Sequence, residues 1–282
     1  MNDVPVIADP AAMSAWTETA RAQSERIALV PTMGALHAGH LSLVAEARRR
    51  AQRVVLSIFV NPMQFGPQED LAKYPRDLAG DLAKAASVGC DLAFVPEAAS
   101  MYGPGFQTAI DVREVSQGLC GARRPGHFVG VATVVCKFFN IVRPHVAFFG
   151  EKDFQQLAVI RRMVTDLNMP VEVVGLPTVR EPDGLAMSSR NAYLSPPDRQ
   201  RATALFAGLS AAKAMFDKGE RRATVLLEAA TAEIAGRVDR IDYLELRASD
   251  DLQPLQTIDR PAVMLVAAFM GSTRLIDNLR IG

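Results

Sequence analysis

Short apolar runs alternate with longer helical patterns through the first two thirds of this 282-residue chain. Helical patterns cover residues 40–51, 77–88, 128–142 and 152–168, and apolar runs precede or follow each of them. The runs are apolar along most of their length, which is typical of strands buried on both faces. The alternation predicts an α/β fold, in which a parallel sheet is covered by helices. The predicted strands are residues 26–30, 54–60, 91–95, 145–149 and 171–174.

The residue composition and the pattern of predicted elements change after about residue 180. A polar stretch with Gly and Pro (EPDGLAMSSRNAYLSPPD) leads into Ala-rich and charged helical patterns at residues 199–218 and 222–235. Strands are predicted after them, at residues 241–247 and 262–270. We therefore predict two domains, a sheet domain of residues 1–180 and a smaller α+β domain of residues 181–282.

Composition and charge narrow the class of protein. Lys and Arg number 31, as do Asp and Glu, so no basic surplus indicates a nucleic-acid or membrane-surface partner. The longest apolar run, residues 262–271, is about half of the roughly 18 to 20 residues that a membrane span needs. An odd number of cysteines without CxxC spacing indicates no disulfide framework. We expect a cytoplasmic protein, without an export signal, that binds neither nucleic acid nor membrane.

Residues 27–40 (IALVPTMGALHAGH) carry the most informative motif. A predicted buried strand passes through a Pro/Gly turn into a helix, and ligands of parallel sheets gather at such strand ends. A helix N-terminus attracts phosphate, and His37 and His40 can donate hydrogen bonds to the same point. Two alternatives stay open, a zinc site and simple capping with packing. The motif is neither a dinucleotide fingerprint nor a P-loop.

A second strand-to-helix junction repeats this logic at residues 146–156 (VAFFGEKDFQQ). Lys152, Asp153 and Gln156 share one face of the predicted helix because they are spaced by three and four residues. The junction is therefore a second candidate anion site. A capped helix with a solvated Lys152 is the alternative.

The string HAGH resembles the HxGH signature of an α/β superfamily of nucleotidyl-transferring enzymes, which includes the class I aminoacyl-tRNA synthetases. Further segments follow PTMGALHAGH in order, and together they resemble the family of pantoate–β-alanine ligases over nearly the whole chain. The resemblance implies a Rossmann-like parallel-sheet domain with a smaller C-terminal α+β domain. These segments are SIFVNPMQF (57–65), YPRDL (74–78), RPGHFVGVATVV (124–135), FFGEKDFQQLAVIRRMV (148–164) and DGLAMSSRNAYLS (183–195).

The resemblance implies the condensation of pantoate with β-alanine at the expense of ATP, through a pantoyl-adenylate, with release of AMP and pyrophosphate. It also implies a homodimer. Mg²⁺ is expected to arrive with ATP, and Asp81 is a candidate for binding it, either directly or through a group that itself contacts the metal. The second domain is expected to act as a lid over the acyl-adenylate. No residue in the sequence stands out as the base for the β-alanine ammonium.

Individual residues receive roles from the same resemblance. His37, His40 and Lys152 are the expected catalytic residues, with His40 as proton donor. Gln64, Gln156, Asn61 and Arg124 are expected to bind pantoate or β-alanine. The residues expected to contact ATP are Met33, Gly34, Ala35, Leu36, His37, Ala38, Gly39, His40, Gly150, Glu151, Lys152, Asp153, Val179, Met187, Ser188, Ser189 and Arg190.

Some of these positions also have a purely structural interpretation. For the whole chain, two functions other than pantoate–β-alanine ligation stay open. The pair Asn61-Pro62 is also typical of a plain turn, and a Ser-Ser-Arg run is ordinarily solvated surface. An adenylyltransferase that makes a dinucleotide or an activated alcohol also uses HxGH. The second of these other functions is a regulatory module that binds ATP without turnover.

Overall fold

A six-stranded parallel sheet forms the centre of the first of two compact units, which comprises Met1–Glu151 and Val159–Leu176. The computed structural model describes residues 4–67 and 69–282. The sheet order is β1-β4-β3-β2-β5-β6, and every neighbouring pair is parallel. The predicted parallel sheet is thus confirmed. The strands are β1 (Val6–Ile7), β2 (Ile27–Thr32), β3 (Arg53–Ile58), β4 (Leu92–Phe94), β5 (Val146–Gly150) and β6 (Glu172–Leu176).

Helices connect these strands. The strands are apolar along their length because both faces of the sheet are covered. Ile27, Leu29 and Val30 of β2 have no exposed surface, and burying each such side chain stabilises the fold by about 1.5–3 kcal/mol. The final helix, α7, belongs to the second unit up to residue 158 and to the first from residue 159. The helices are α1 (Pro10–Ala22), α2 (Ala38–Arg50), α3 (Leu78–Ser87), α4 (Ala98–Met101), α5 (Leu119–Arg123), α6 (His127–Val142) and α7 (Phe154–Asp166).

The order of the strands defines a switch point between β2 and β5. From β2 the chain builds outward through β3 to β4, and it then returns to add β5 and β6 on the other side. Ligands of such sheets bind beyond the carboxyl ends of the strands at this point. In the first unit, the turn after β2 and the end of β5 at Gly150 occupy this position.

The second unit comprises Lys152–Ala158 and Pro177–Gly282. Its antiparallel sheet has the order β7-β8-β9, and the central strand β8 is buried along most of its length. Leu205, Leu209 and Leu226 of the helices and Met264 of β8 belong to its core. The predicted smaller α+β part is thus confirmed. Its elements are α8 (Pro196–Arg201), α9 (Ala204–Asp217), α10 (Ala223–Ile234), β7 (Arg240–Ala248), β8 (Ala262–Met270) and β9 (Thr273–Ile281).

Several features of the structure were not predicted, among them the short helices α4 and α5. The strands β1 and β9 and the helix α1 are additional, and the helix predicted over residues 199–218 is two helices. The break at Thr203 has a local cause, because the hydroxyl of this residue donates to the carbonyl of Gln200 at 2.8 Å and competes with the helical backbone. No helix within residues 4–67 and 69–282 is both long enough and apolar enough to span a membrane.

Candidate active site

The HxGH turn, residues 33–40, follows β2 and leads into α2. Its backbone is left-handed at two successive residues, with φ of +85° at Gly34 and +50° at Ala35. Consecutive N–H groups in such a turn converge and form a small anion-binding concavity. The anion here is the carboxylate of Asp81 in α3, which accepts from the N–H of Ala35 at 2.8 Å and from that of Leu36 at 2.7 Å.

These contacts change two expectations. The N–H groups of Ala35 and Leu36 bond to Asp81, so backbone donation to a phosphate is not the role that the structure gives them. Asp81 is 1% exposed and each of its oxygens accepts a backbone hydrogen bond. The structure accounts for Asp81 as a support of the HxGH turn, and the magnesium contact expected of it stays a prediction without structural support.

His37 and His40 meet at the start of α2. His37 caps the helix because its Nδ1 accepts from the N–H of Gly39 at 3.2 Å, and Nδ1 of His40 lies 3.4 Å from the N–H of His37. The two ring centroids are 4.1 Å apart. An Nδ1 that accepts places the proton of a neutral imidazole on Nε2. The capping alternative is therefore present, and it is compatible with donation from each Nε2 to a ligand.

Gln64 lies beyond the end of β3, and Asn61 holds its side chain in place. The amide nitrogen of Asn61 donates to Oε1 of Gln64 at 3.2 Å and to the carbonyl of Gly130 at 3.1 Å. The amide oxygen accepts from the N–H of Met63 at 3.2 Å and from the hydroxyl of Tyr102 at 2.8 Å. Asn61 is 1% exposed. The expected contact between Asn61 and pantoate therefore finds no support, and the residue instead orients Gln64.

Nε2 of Gln64 lies 3.1 Å from the sulfur of Met33, the residue that precedes the left-handed turn. Gln64 is itself largely buried. The structure thus brings together two residues that the sequence analysis assigned to ligand binding from separate segments. Their side chains combine a thioether with an amide, which suits a small ligand with both apolar and polar groups.

Arg124 lies in a cluster next to Gln64, and its observed contacts give no support to the expected contact with pantoate, which stays a prediction. Its guanidinium is paired with both carboxylate oxygens of Glu69 at 2.6 Å. It also contacts Nε2 of His127 at 3.0 Å and the carbonyl of Gln64 at 3.4 Å. The carboxylate of Glu69 thus matches the charge of Arg124, and the contact with the carbonyl connects this ion pair to the backbone of Gln64.

His127 completes this cluster. Its Nδ1 lies 2.9 Å from the carbonyl of Gln64, so Nδ1 carries the proton that donates to it, and Nε2 accepts from Arg124. Burial raises the pKa of Glu69, but the hydrogen bonds and charge of Arg124 lower it more, so the pKa lies below its ordinary value. Glu69 was not predicted, and no local pattern around it indicates this partner.

In the second unit, Lys152 stands before α7. Its side chain is 18% exposed and its ammonium lies 3.9 Å from a carboxylate oxygen of Asp153. This burial contradicts the alternative of a solvated lysine on a capped helix. The carbonyl of Lys152 accepts from the side-chain amide of Asn278 in β9 at 2.9 Å.

The segment Met187–Arg190 is an ordered part of the second unit. The N–H of Met187 donates to the carbonyl of Val179 at 3.0 Å, and Arg180 and Ala186 form an antiparallel bridge between them. The hydroxyl of Ser188 accepts from the N–H of Arg190 at 3.2 Å and caps a short 3-10 helix. Two segments expected to contact ATP are thus paired with each other.

β9 connects these segments with Lys152. Both guanidinium NH groups of Arg180 donate to Asp277, at 2.7 and 2.9 Å, and one also donates to the carbonyl of Asn278 at 3.1 Å. Burial raises the pKa of Asp277, and the charge of Arg180 opposes this effect. The role of β9 was not predicted, and the only local signal is the pair Asp277-Asn278 within an otherwise alternating strand.

No group of three or more His, Cys, Asp and Glu side chains is arranged to hold a metal ion within residues 4–67 and 69–282. His37 and His40 are therefore a pair without a third ligand of these types among the described residues. The contacts of this pair include backbone N–H groups and the other ring of the pair.

Comparisons with known proteins agree with these motifs. The model of the pantoate-beta-alanine ligase family matches residues 5–280. The pantothenate synthetase of Myxococcus xanthus (strain DK1622) is 57% identical over 270 residues, which cover 95% of this chain and 92% of that protein. The crystal structure of pantothenate synthetase from Thermus thermophilus matches with a TM-score of 0.93 at 46% identity and covers 99% of each chain.

A third match is a crystal structure of pantoate-beta-alanine ligase from Francisella tularensis, complexed with beta-gamma ATP and beta-alanine. It has a TM-score of 0.83 at 32% identity, over 98% of this chain and 97% of that one. The family model and these relatives each extend over almost all of the sequence, both units included. The chain therefore belongs to the pantoate-beta-alanine ligase family.

Proposed function

We propose that this chain joins pantoate to β-alanine with ATP, forming pantothenate, AMP and pyrophosphate through a pantoyl-adenylate. The family match over residues 5–280 carries the proposal. The geometry supports it, because His37 and His40 present two hydrogen-bond donors after β2, next to the switch point of the sheet. The relative from Francisella tularensis, solved with an ATP compound and beta-alanine, supports ATP and β-alanine as two of the three substrates.

The reaction has two steps. An oxygen of the pantoate carboxylate attacks the α-phosphorus of ATP, and the bond to the β-phosphate breaks to release pyrophosphate. The amine of β-alanine then attacks the acyl carbon, the bond to AMP breaks, and the nitrogen loses a proton. Activation is necessary because a carboxylate oxygen is a poor leaving group.

Donors aimed at the developing phosphate charge lower the barrier of the first step. We assign this role to His37, His40, Lys152 and Arg190, and His40 in addition donates a proton. Mg²⁺ bound to ATP would offset further phosphate charge, and we assign no protein ligand to it. The other residues that we assign to ATP lie in the HxGH turn and in three further segments. They are Met33, Gly34, Ala35, Leu36, Ala38, Gly39, Gly150, Glu151, Asp153, Val179, Met187, Ser188 and Ser189.

Gln64 and Gln156 are assigned to pantoate. The support is clearest for Gln64, whose side-chain oxygen is bonded to Asn61 at 3.2 Å and whose carbonyl contacts His127 at 2.9 Å. A carboxamide fixed in this way offers a preorganised donor to a hydroxyl or a carboxylate. Arg124 and Asn61 act through Gln64.

The second step depends mainly on holding the amine against the acyl carbon, an effect worth about 7–11 kcal/mol in well-oriented systems.

We propose that residues 181–282 act as a lid that excludes water from the acyl-adenylate. A comparison of the solvent accessibility of residues 183–195 with and without ATP tests this. We also propose a cytoplasmic homodimer, which a mass measurement in solution checks.

The decisive assay measures AMP when ATP, pantoate and β-alanine are supplied in all combinations. We expect AMP and pantothenate only when all three are present. An adenylyltransferase of another kind would exchange labelled pyrophosphate into ATP without pantoate. A regulatory module would bind ATP and release no AMP in any mixture.

A further inference from the structure

We propose that Asp81 is a positioning residue for this reaction. Its buried carboxylate holds the left-handed turn at Gly34 and Ala35 and thereby directs His37 and His40. The inference rests on the proposed function for what the histidines bind. It gives Asp81 a structural task.

The backbone of the HxGH turn needs such a partner. Glycine adopts the left-handed conformation easily, but Ala35 at φ +50° brings its Cβ close to the following carbonyl, which is unfavourable. The two hydrogen bonds to Asp81 offset this cost, and they are strong because the acceptor is charged. Leu36 is 3% exposed and Asp81 1%. Water therefore cannot readily replace the carboxylate.

The approach of Asp81 to the turn is very close. A Cβ atom added to Gly34 would stand 3.0 Å from Oδ2 of Asp81 and 3.2 Å from a methyl of Ile58. The role is separate from capping α3, because Asp77 already caps that helix by accepting from the N–H of Gly80 at 3.0 Å. Asp81 is thus available to the turn.

Lys84, one helical turn after Asp81, contacts Leu36 as well, at its carbonyl group. Its ammonium donates to the carbonyl of Leu36 at 3.0 Å and lies 3.9 Å from Oδ1 of Asp81. α3 therefore holds both the N–H and the carbonyl of Leu36. The contact of Asp81 with the N–H of Leu36 fixes the peptide plane between Ala35 and Leu36. The contact of Lys84 restricts the following plane, between Leu36 and His37.

That peptide plane connects α3 with the histidines. The N–H of His37 belongs to it, and this group faces Nδ1 of His40 at 3.4 Å. A rotation of the plane would remove the contact that keeps the His40 proton on Nε2. Asp81 and Lys84 thus act on His40 without touching it, and neither needs to contact a substrate.

The test compares the full-length chain with Asp81→Asn, which keeps the shape but replaces one acceptor by a donor. In the absence of ligands, we expect upfield shifts of the Ala35 and Leu36 amide protons and a changed tautomer signal of His40 by NMR. In the assay, we expect kcat to fall by about 10- to 100-fold, as for small misplacements of catalytic groups. The KM for β-alanine should change less than about 3-fold.

Two further variants keep the test decisive. Lys84→Met removes the ammonium, and with it the contacts with the Leu36 carbonyl and Asp81, from a half-exposed side chain. It should give a smaller loss of kcat in a chain that folds. Asp77→Ala weakens the cap of α3 and should leave both kcat and the Ala35 and Leu36 amide shifts near those of the parent.

Two results overturn the inference. One is unchanged amide shifts and kcat in Asp81→Asn, and the other is an equal loss of kcat in Asp77→Ala. A parent chain that forms no AMP overturns the proposed function instead. Because the amide and tautomer signals are recorded without substrates, they separate the two failures.

Discussion

The titration of His145 links one side chain to the stability of the sheet. Its Nδ1 accepts from the N–H of Ile27 in β2 at 3.0 Å, so the folded state prefers the neutral ring. Burial and then the charges of Arg21 and Arg26 lower its pKa. Below an unfolded pKa of about 6.5, the unfolded state therefore binds more protons than the folded state, and stability is lost as the pH falls.

We predict that His145→Asn reduces this loss. The free energy of unfolding in urea, measured at several pH values between about 7.5 and 5.5, should depend less on pH in the variant. Turnover at neutral pH should remain close to that of the parent, because His145 has only a structural role. Identical pH dependence in both proteins would refute the assignment.

Lys152 carries the strongest prediction for the reaction among single residues. Lys152→Ala should lower kcat by about 10²–10³, the effect of losing one preorganised charge donor. Its thermal unfolding should stay cooperative. The matched control is Lys213→Ala, which removes a lysine paired with Asp217 on the surface of α9 and should leave kcat unchanged. Normal turnover of Lys152→Ala would remove the residue from the active site.

The supports of the site were harder to predict than the groups that are expected to touch substrate. His37, His40 and Gln64 lie in short motifs that can be recognised directly. Asp81 is separated from its backbone partners by 45 and 46 positions in the sequence, and Glu69 is separated from Arg124 by 55. Pairs so distant follow from the packing of helices, and no local spacing indicates them.

At the level of elements, α6 supports the turn that carries Gln64 through a close backbone contact. A Cβ on Gly130 would stand 2.3 Å from the carbonyl oxygen of Met63 and 2.7 Å from the nitrogen of Gln64. Backbone atoms cannot move aside as the end of a side chain can. The absence of a side chain at Gly130 is thus required for Gln64 to keep its position.

We predict that Gly130→Ala lowers stability by about 1–3 kcal/mol, as overpacking does, and raises the KM for pantoate. Gly103→Ala is the control, since its Cβ would meet only a carbonyl at 3.6 Å, an ordinary contact. Urea unfolding and steady-state kinetics of both variants measure the effects. A Gly130→Ala protein with parental KM for pantoate would show that Gln64 does not depend on this contact.

β9 acts on Lys152 through Asn278, so the two residues should behave as one unit. Asn278→Ala should lower kcat by about 10-fold in the parent chain, the scale of a small misplacement. In the Lys152→Ala background the same change should have almost no further effect on kcat, because residues in one network are not additive. Full additivity in this double-mutant cycle would mean that Asn278 acts by another route.

The elements differ in how far the sequence determines them. The inner strands β2, β3 and β5 were predicted because burial on both faces makes them apolar. β9 was missed because it carries charges, and these are tolerated only through partners such as Arg180 for Asp277, 97 positions away. β1 has two residues, too few for a pattern. The start of α1 does carry a local sequence signal, the capping residue Asp9 followed by Pro10.

For the whole molecule, the family match extends over residues 5–280 and includes both units. The first unit carries the HxGH turn and Gln64, and the second carries Lys152 and the segment Met187–Arg190. The proposed reaction assigns residues of both units to one chemistry, the activation of a carboxylate by adenylation. The path of the carboxylate oxygen is the most direct evidence for that chemistry.

The measurement is a turnover with pantoate whose carboxylate is labelled with ¹⁸O, followed by mass spectrometry of the products. Attack of the carboxylate on the α-phosphorus predicts that one labelled oxygen appears in AMP and that the other stays in the amide of pantothenate. AMP without label would contradict the adenylate intermediate and the roles given to His37, His40 and Lys152.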